Sequence, residues 1–331
     1  MSFTRADLDA ATALVRTAVP PTPTFSWPLL SDATGADVWV KHENHTPVGA
    51  FKVRGGLVYV DRLLARRPDV SGLVAATTGN HGQSIAFAGR AAGLHVMIAV
   101  PHGNSPDKNA AMRGLGAEVV ECGHDFQEAR EYAASVAAAD PGADFVQSFH
   151  PDLVLGVATY ALELFDAVRD LDTVYAPVGM GSGVCALIAV RDLLGLSTEI
   201  VGVVSERADA TARSFAAGQV VNTETADTFV DGVATRSPDP EAIRRIVAGA
   251  ARILTVSDDA AAEAMRLLFR TTHNVPEPAG ALALAGLVAE VDRARGRRVG
   301  LVQTGSNVDA DTLTTVLGGR TPAPPSALIR R

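Results

Sequence analysis

The sequence predicts an α/β protein of two lobes, with parallel-rich sheets flanked by helices. Three observations predict it. Short apolar runs alternate with helical patterns along most of the chain, which is how right-handed β–α–β crossovers read. The chain's 331 residues exceed the roughly 100 to 200 of an ordinary single domain. Loops rich in glycine or hydroxyls follow three of the apolar runs, at the strand ends where open α/β sheets bind ligands.

The elements follow in order. A first series reads as strand 72–76, helix about 83–92, strand 95–100, helix about 107–115, strand 118–122 and helix about 126–139. A second reads as strand 173–177, helix about 184–194 and strand 200–204. An amphipathic helix over about 258–272, a small-residue helix over about 279–293 and a strand over 299–303 complete it. Strands are assigned as short apolar runs and helices by their helical pattern. The smaller lobe is placed at 50–155 and the larger at 1–49 and 156–331. The Pro-containing tail 321–326 is expected to trail off the fold.

Composition excludes several classes of function. The chain is 47% hydrophobic and 20% charged, which fits a globular protein with a sizeable core. A formal charge of -8 gives no reason to expect nucleic acid, whose phosphates require clustered Lys and Arg. Cys122 and Cys185 are far apart and imply neither a disulfide framework nor a zinc cluster, so a reducing cytoplasm is the expected setting. Residues 1–20 carry Arg5, Asp7 and Asp9 and no apolar run of signal-peptide type. No apolar stretch reaches the roughly 20 residues of a membrane span, so a soluble protein is expected.

Four segments carry chemistry. Thr77-Thr78-Gly79-Asn80-His81-Gly82 sets hydroxyls, an amide and free N–H groups at a helix start, an anion site suited to a carboxylate; a merely capped turn reads alike. Val178-Gly179-Met180-Gly181-Ser182-Gly183 lets backbone approach a phosphate at a helix N-terminus. A dinucleotide site competes, since Glu199 and Glu206 lie at the spacing of a ribose ligand, but its fingerprint needs the third glycine one position later. Thr304-Gly305-Ser306-Asn307 exposes hydroxyls at a third strand end. In the fourth, which runs from Lys41-His42-Glu43-Asn44 to Gly49-Ala50-Phe51-Lys52-Val53-Arg54-Gly55-Gly56, a lysine follows an aromatic in a glycine-containing loop leading into a helix.

Together these segments resemble the fold type II pyridoxal-phosphate enzymes, tryptophan synthase β-like in architecture, and within them the serine/threonine dehydratase and serine racemase branch. That branch reads Lys-x-Glu-Asn-x-x-x-Thr-Gly-Ser-Phe-Lys-x-Arg-Gly, then Ser-x-Gly-Asn-His-Gly-Gln, Pro-Val-Gly-Gly-Gly-Gly and Ser-Gly-Gly-Asn. All four are matched in order, as is Glu-Pro-x-Gly by Glu277-Pro278-Ala279-Gly280, and the similarity covers roughly residues 15 to 315.

The resemblance implies a role for each matching residue. Lys52 would hold pyridoxal 5'-phosphate as a Schiff base and remove the α-proton once displaced. Phe51 would pack on the cofactor ring, with Glu277 also at the cofactor, and Asn80 would bond the ring hydroxyl. Gly179, Met180, Gly181, Ser182 and Gly183 would cradle the phosphate. Thr78, Asn80 and His81 would hold the substrate carboxylate. Thr304 stands where the branch has serine opposite the pyridine nitrogen. A neutral hydroxyl there stabilises a pyridinium less than a carboxylate would, which favours elimination over transamination.

The implied activity is loss of water from a small 3-hydroxy amino acid such as L-threonine or L-serine, giving a 2-oxo acid and ammonia. Phenylserine or 3-hydroxyaspartate dehydration is an alternative. So is racemisation, because Thr78 takes the place of the racemase's second acid/base serine. A homodimer in contact with neither membrane nor nucleic acid is implied as well. Departures from the pattern are specific. Val48 and Ala50 replace hydroxyl residues; Met180 replaces a glycine, where a positive φ would be strained; and His42 and His45 are either substrate contacts or ordinary loop histidines. Glu206 matches the branch's cation site but Ala212 replaces its acidic partner, so no tightly bound metal is expected, with a monovalent or divalent activator as the alternative. The residues after Thr314 are too few for the regulatory domain of the long threonine dehydratases, and isoleucine feedback is not expected.

Overall fold

The computed structural model describes residues 3–324. Its ten strands are β1 (Thr24–Ser26), β2 (Asp37–His42), β3 (Gly72–Ala76), β4 (His95–Val100), β5 (Glu118–Glu121), β6 (Ala143–Phe145), β7 (Thr173–Pro177), β8 (Glu199–Ser205), β9 (Arg252–Val256) and β10 (Arg298–Gln303). They form two sheets. One is four-stranded in the order β5-β4-β3-β6 and parallel throughout. The other is six-stranded in the order β1-β2-β10-β7-β8-β9, with only β1 antiparallel to its neighbour. Parallel strands buried on both faces read as near-continuous apolar runs, which β3 supplies throughout, β4 after His95 and β7 after Thr173.

Sheet order explains why distant loops meet. β10 lies between β2 and β7, with Gln303 in register with His42. The loops leaving the carboxyl ends of β2, β10 and β7 are therefore neighbours, and β3 opens its own loop from the middle of the other sheet. The helix Lys52–Arg66 carries the chain out of the β2 loop. It packs on the helix Pro151–Ala167, which is buried almost throughout.

Two helices begin three or two residues earlier than their apolar period indicates, at Asn80 and at Ser182. Met180 has no positive φ; the left-handed residue of that turn is Gly181, at φ 96°, so the strain anticipated at Met180 does not arise. Of the tail, 321–324 lie within the described residues, where Thr321 donates to Asp259, and 325–326 lie outside them. No helix among the described residues is long and apolar enough to cross a membrane.

Candidate active site

Lys52 occupies the first position of its helix, with Phe51 as N-cap. The segment before it is anchored at both ends. The Thr46 hydroxyl accepts from Ala50 N (2.9 Å) and donates to Ala50 O (2.8 Å). Phe51 N donates to Thr304 O (3.0 Å) and Ser306 N to Gly49 O (2.9 Å), which joins the lysine loop to the loop after β10. The Lys52 Nζ lies 4.8 Å from the Phe51 ring centroid. Burial lowers the Lys52 pKa, against the opposing pull of Glu277, which makes the amine less basic. Lys52 lines a small cavity with His81, Ser148 and Ser182.

The loop after β3 meets the larger unit through Asn80. Its Nδ2 donates to both Glu277 carboxylate oxygens at 2.9 Å, and its Oδ1 accepts from Asn307 Nδ2 at 2.7 Å. These bonds use donor and acceptor alike and fix the amide's orientation. Thr78 is half-buried in the same turn. His81 is buried, and its Nε2 lies 3.4 Å from the Val146 carbonyl oxygen. Burial, reinforced by Lys52, lowers its pKa to about 4, so the ring is neutral with Nε2 as donor.

The glycine-rich turn after β7 is held from beneath. The Tyr160 hydroxyl donates to Gly183 O at 3.0 Å, and the Tyr160 and Phe51 rings meet edge to face at 6.0 Å. Ser182 and Gly183 form the first turn of the helix Ser182–Leu193 with their N–H groups unpaired within it, a cradle for an anion. Met180 Sδ takes a 3.9 Å contact from the Thr235 hydroxyl. On the neighbouring strand end, after β10, Thr304 Oγ1 is one of four buried side-chain polar atoms without a hydrogen-bond partner among the described residues. Such orphans are rare and costly, and this one sits where the sequence reading places a partner for a pyridine nitrogen. Lys52, the Asn80 turn, the anion cradle and the Thr304 hydroxyl suit pyridoxal phosphate in their chemistry.

The chain matches, over residues 15–305, the family described as pyridoxal-phosphate dependent enzyme. It belongs to that family. Its cofactor is therefore pyridoxal phosphate. Among curated relatives it is 34% identical to an L-threo-3-hydroxyaspartate ammonia-lyase from a Pseudomonas species, over 90% of this chain and 93% of that one. It is 30% identical to the Saccharomyces cerevisiae enzyme of the same name, over 97% and 98%. A solved threonine deaminase from T.th. superposes with a TM-score of 0.84 at 33% identity, covering 93% of this chain and 99% of that one.

The two unusual histidines lie apart from this chemistry. His42 is fully buried; its Nε2 accepts from Trp27 Nε1 at 3.0 Å. Indole only donates, so the His42 proton is on Nδ1, facing Asn44 Oδ1 at 3.3 Å. Burial lowers its pKa to about 4, and with Phe25, Trp27 and His45 it forms an aromatic cluster. His45 contacts Asn274 Oδ1 at 2.7 Å. Among the described residues no group of three or more His, Cys, Asp or Glu could hold a metal.

Burial raises the Glu277 pKa to about 7; the Asn80 bond pulls it back and Asp231 adds to the rise. The folded state therefore binds this proton more tightly than the unfolded chain does. Its contribution to stability is present below the unfolded value of 4.5 and is lost as pH rises through about 7. Urea titrations of cofactor-free protein at pH 5 and pH 7.5 are expected to show a pH-dependent loss that Glu277→Gln reduces by about 2 kcal/mol.

Proposed function

We propose that this chain eliminates water from a small 3-hydroxy amino acid, and that the resulting enamine takes up water and hydrolyses to a 2-oxo acid and ammonia. The partnerless Thr304 hydroxyl carries the reading, because a neutral group at that place favours elimination over transamination. Bound pyridoxal phosphate supplies the electron sink for the charge left on Cα. The chain's residues do the rest. The backbone N–H groups of Gly179 to Gly183 hold the phosphate at a helix N-terminus. Thr78, Asn80 and the backbone N–H of His81 hold the substrate carboxylate at another, while the neutral His81 ring spends its one N–H on the Val146 carbonyl and adds no charge. Lys52 Nζ, made less basic by burial, takes the Cα proton and delivers it to the departing hydroxyl.

Relatives named for hydroxyaspartate and a structure named for threonine support 3-hydroxy amino acids as the substrate class. The test is a panel of L-serine, L-threonine, phenylserine and 3-hydroxyaspartate, assayed for 2-oxo acid and ammonia. Release from at least one is expected, and release from none overturns the reading. Exchange of the Cα hydrogen that outruns elimination would instead identify a racemase. The reading includes a homodimer in the cytoplasm, and sedimentation equilibrium checks the dimer.

A further inference from the structure

One side chain of the smaller unit reaches the larger unit across the cleft beside the site. Lys108, on the helix Pro106–Gly114, runs its stem over Gly79. A Cβ at 79 would lie 3.2 Å from Lys108 Cδ, so any other residue there would crowd the stem. The ammonium donates to Asp231 Oδ2. Asp231 opens the short helix Asp231–Val233, and the next residue, Gly232, abuts the phosphate turn: a Cβ on Gly179 would lie 2.5 Å from the Gly232 carbonyl oxygen. Two side chains thus connect the Gly79 turn to the Gly179 turn.

The lysine end is shielded, with the Lys108 side chain only 11% exposed, while the Asp231 side chain is 39% exposed. Burial opposes its charge, but Asp231, then Glu277 and Asp309, outweigh burial and raise its pKa. Ser105, the N-cap of the same helix, donates to Asp309 and makes a second crossing.

We propose that Lys108 is a positioning residue whose pairing with Asp231 sets the separation between the turn that holds the substrate carboxylate and the turn that holds the cofactor phosphate. This rests on the reading of Thr78–His81 and Gly179–Gly183 given above. The reacting molecule is gripped at both turns while Lys52 Nζ waits at its Cα–H bond. A shift of one turn against the other keeps the substrate from reaching both grips at once, which removes binding shared by ground and transition states and so raises KM. A contact serving the fold alone would change stability and leave substrate handling as it was.

The test uses holoenzyme and whichever 3-hydroxy amino acid it turns over fastest. Lys108→Met and Asp231→Asn are each expected to lower kcat/KM by about 10- to 100-fold, mainly through KM. The double variant should be no worse than the more damaged single, because both remove one interaction. Lys108→Arg should recover most of the loss. Losses that multiply in the double variant, or a lowered melting temperature with unchanged KM, overturn the proposal. Should Lys108→Met fail to fold, Asp231→Asn and Lys108→Arg still decide it: unchanged KM in the first, or a KM in the second raised as far as in the first, rejects it. Wild-type protein that turns over no 3-hydroxy amino acid removes the elimination reading and this proposal together. Active wild-type protein with an uncoupled pair removes this proposal alone.

Discussion

Lys52→Ala is expected to lower turnover about a thousandfold or more while leaving folding stability unchanged or slightly raised. The two halves of this expectation have separate causes. Under the proposed roles of Lys52, removing the amine deletes both the covalent attachment of the cofactor and the base at Cα. Folding loses little, since no hydrogen bond or ion pair from the Lys52 amine occurs among the described residues; its close partner is the Phe51 ring face at 4.8 Å. Desolvation already disfavours its charge, so alanine relieves a cost instead of breaking a bond. Borohydride reduction supplies the check. Wild-type protein should lose its visible band and gain mass on the peptide carrying Lys52, and the variant should gain none. Appreciable elimination by the variant would mean that another group is the base.

How much of this was legible in the sequence depends on how locally each group is specified. The four loops could be read because an anion site at a helix start needs glycines, hydroxyls and amides side by side, and such runs stand out between apolar strands. The same chemistry hid the helix boundaries: Asn80, His81, Ser182 and Gly183 look like loop residues yet form first turns. β2 escaped because alternating Val38 and Val40 give way to buried Lys41 and His42, which periodicity reads as surface. The helix Pro151–Ala167 escaped because a helix buried on every side has no polar face to mark its period. Tyr160, which holds the glycine turn, lies on it. Lys108 and Asp231 are 123 positions apart, and nothing in either neighbourhood marks them as partners. Asn307 was visible only as a turn residue, although its bond to Asn80 joins the two units.

Glu163→Gln is expected to cost about 3 to 5 kcal/mol of folding free energy, read as a lowered urea midpoint with little change in slope. Arg54, two residues after Lys52, has no exposed surface. Its guanidinium donates to Glu43 at 2.8 and 3.0 Å, to Glu163 at 2.9 and 2.8 Å, and to Thr159 Oγ1 at 3.1 Å. Lys41 Nζ donates to Glu163 at 2.6 Å and to Thr22 O at 2.9 Å. Two cations and two anions balance inside the protein. Burial alone would raise the Glu163 pKa, yet Arg54 and Lys41 hold it below the usual carboxylate range. Glutamine keeps the shape and removes one anion, so a net positive charge is left where water cannot reach it. Because the network clamps the first turn of the lysine helix to β2 and to the helix Pro151–Ala167, cofactor retention should weaken along with stability. The two substitutions should therefore separate cleanly: Lys52→Ala removes chemistry from a standing fold, and Glu163→Gln loosens the fold beneath intact chemistry. A Glu163→Gln protein as stable as wild type would mean that the charges are neutralised by some other route.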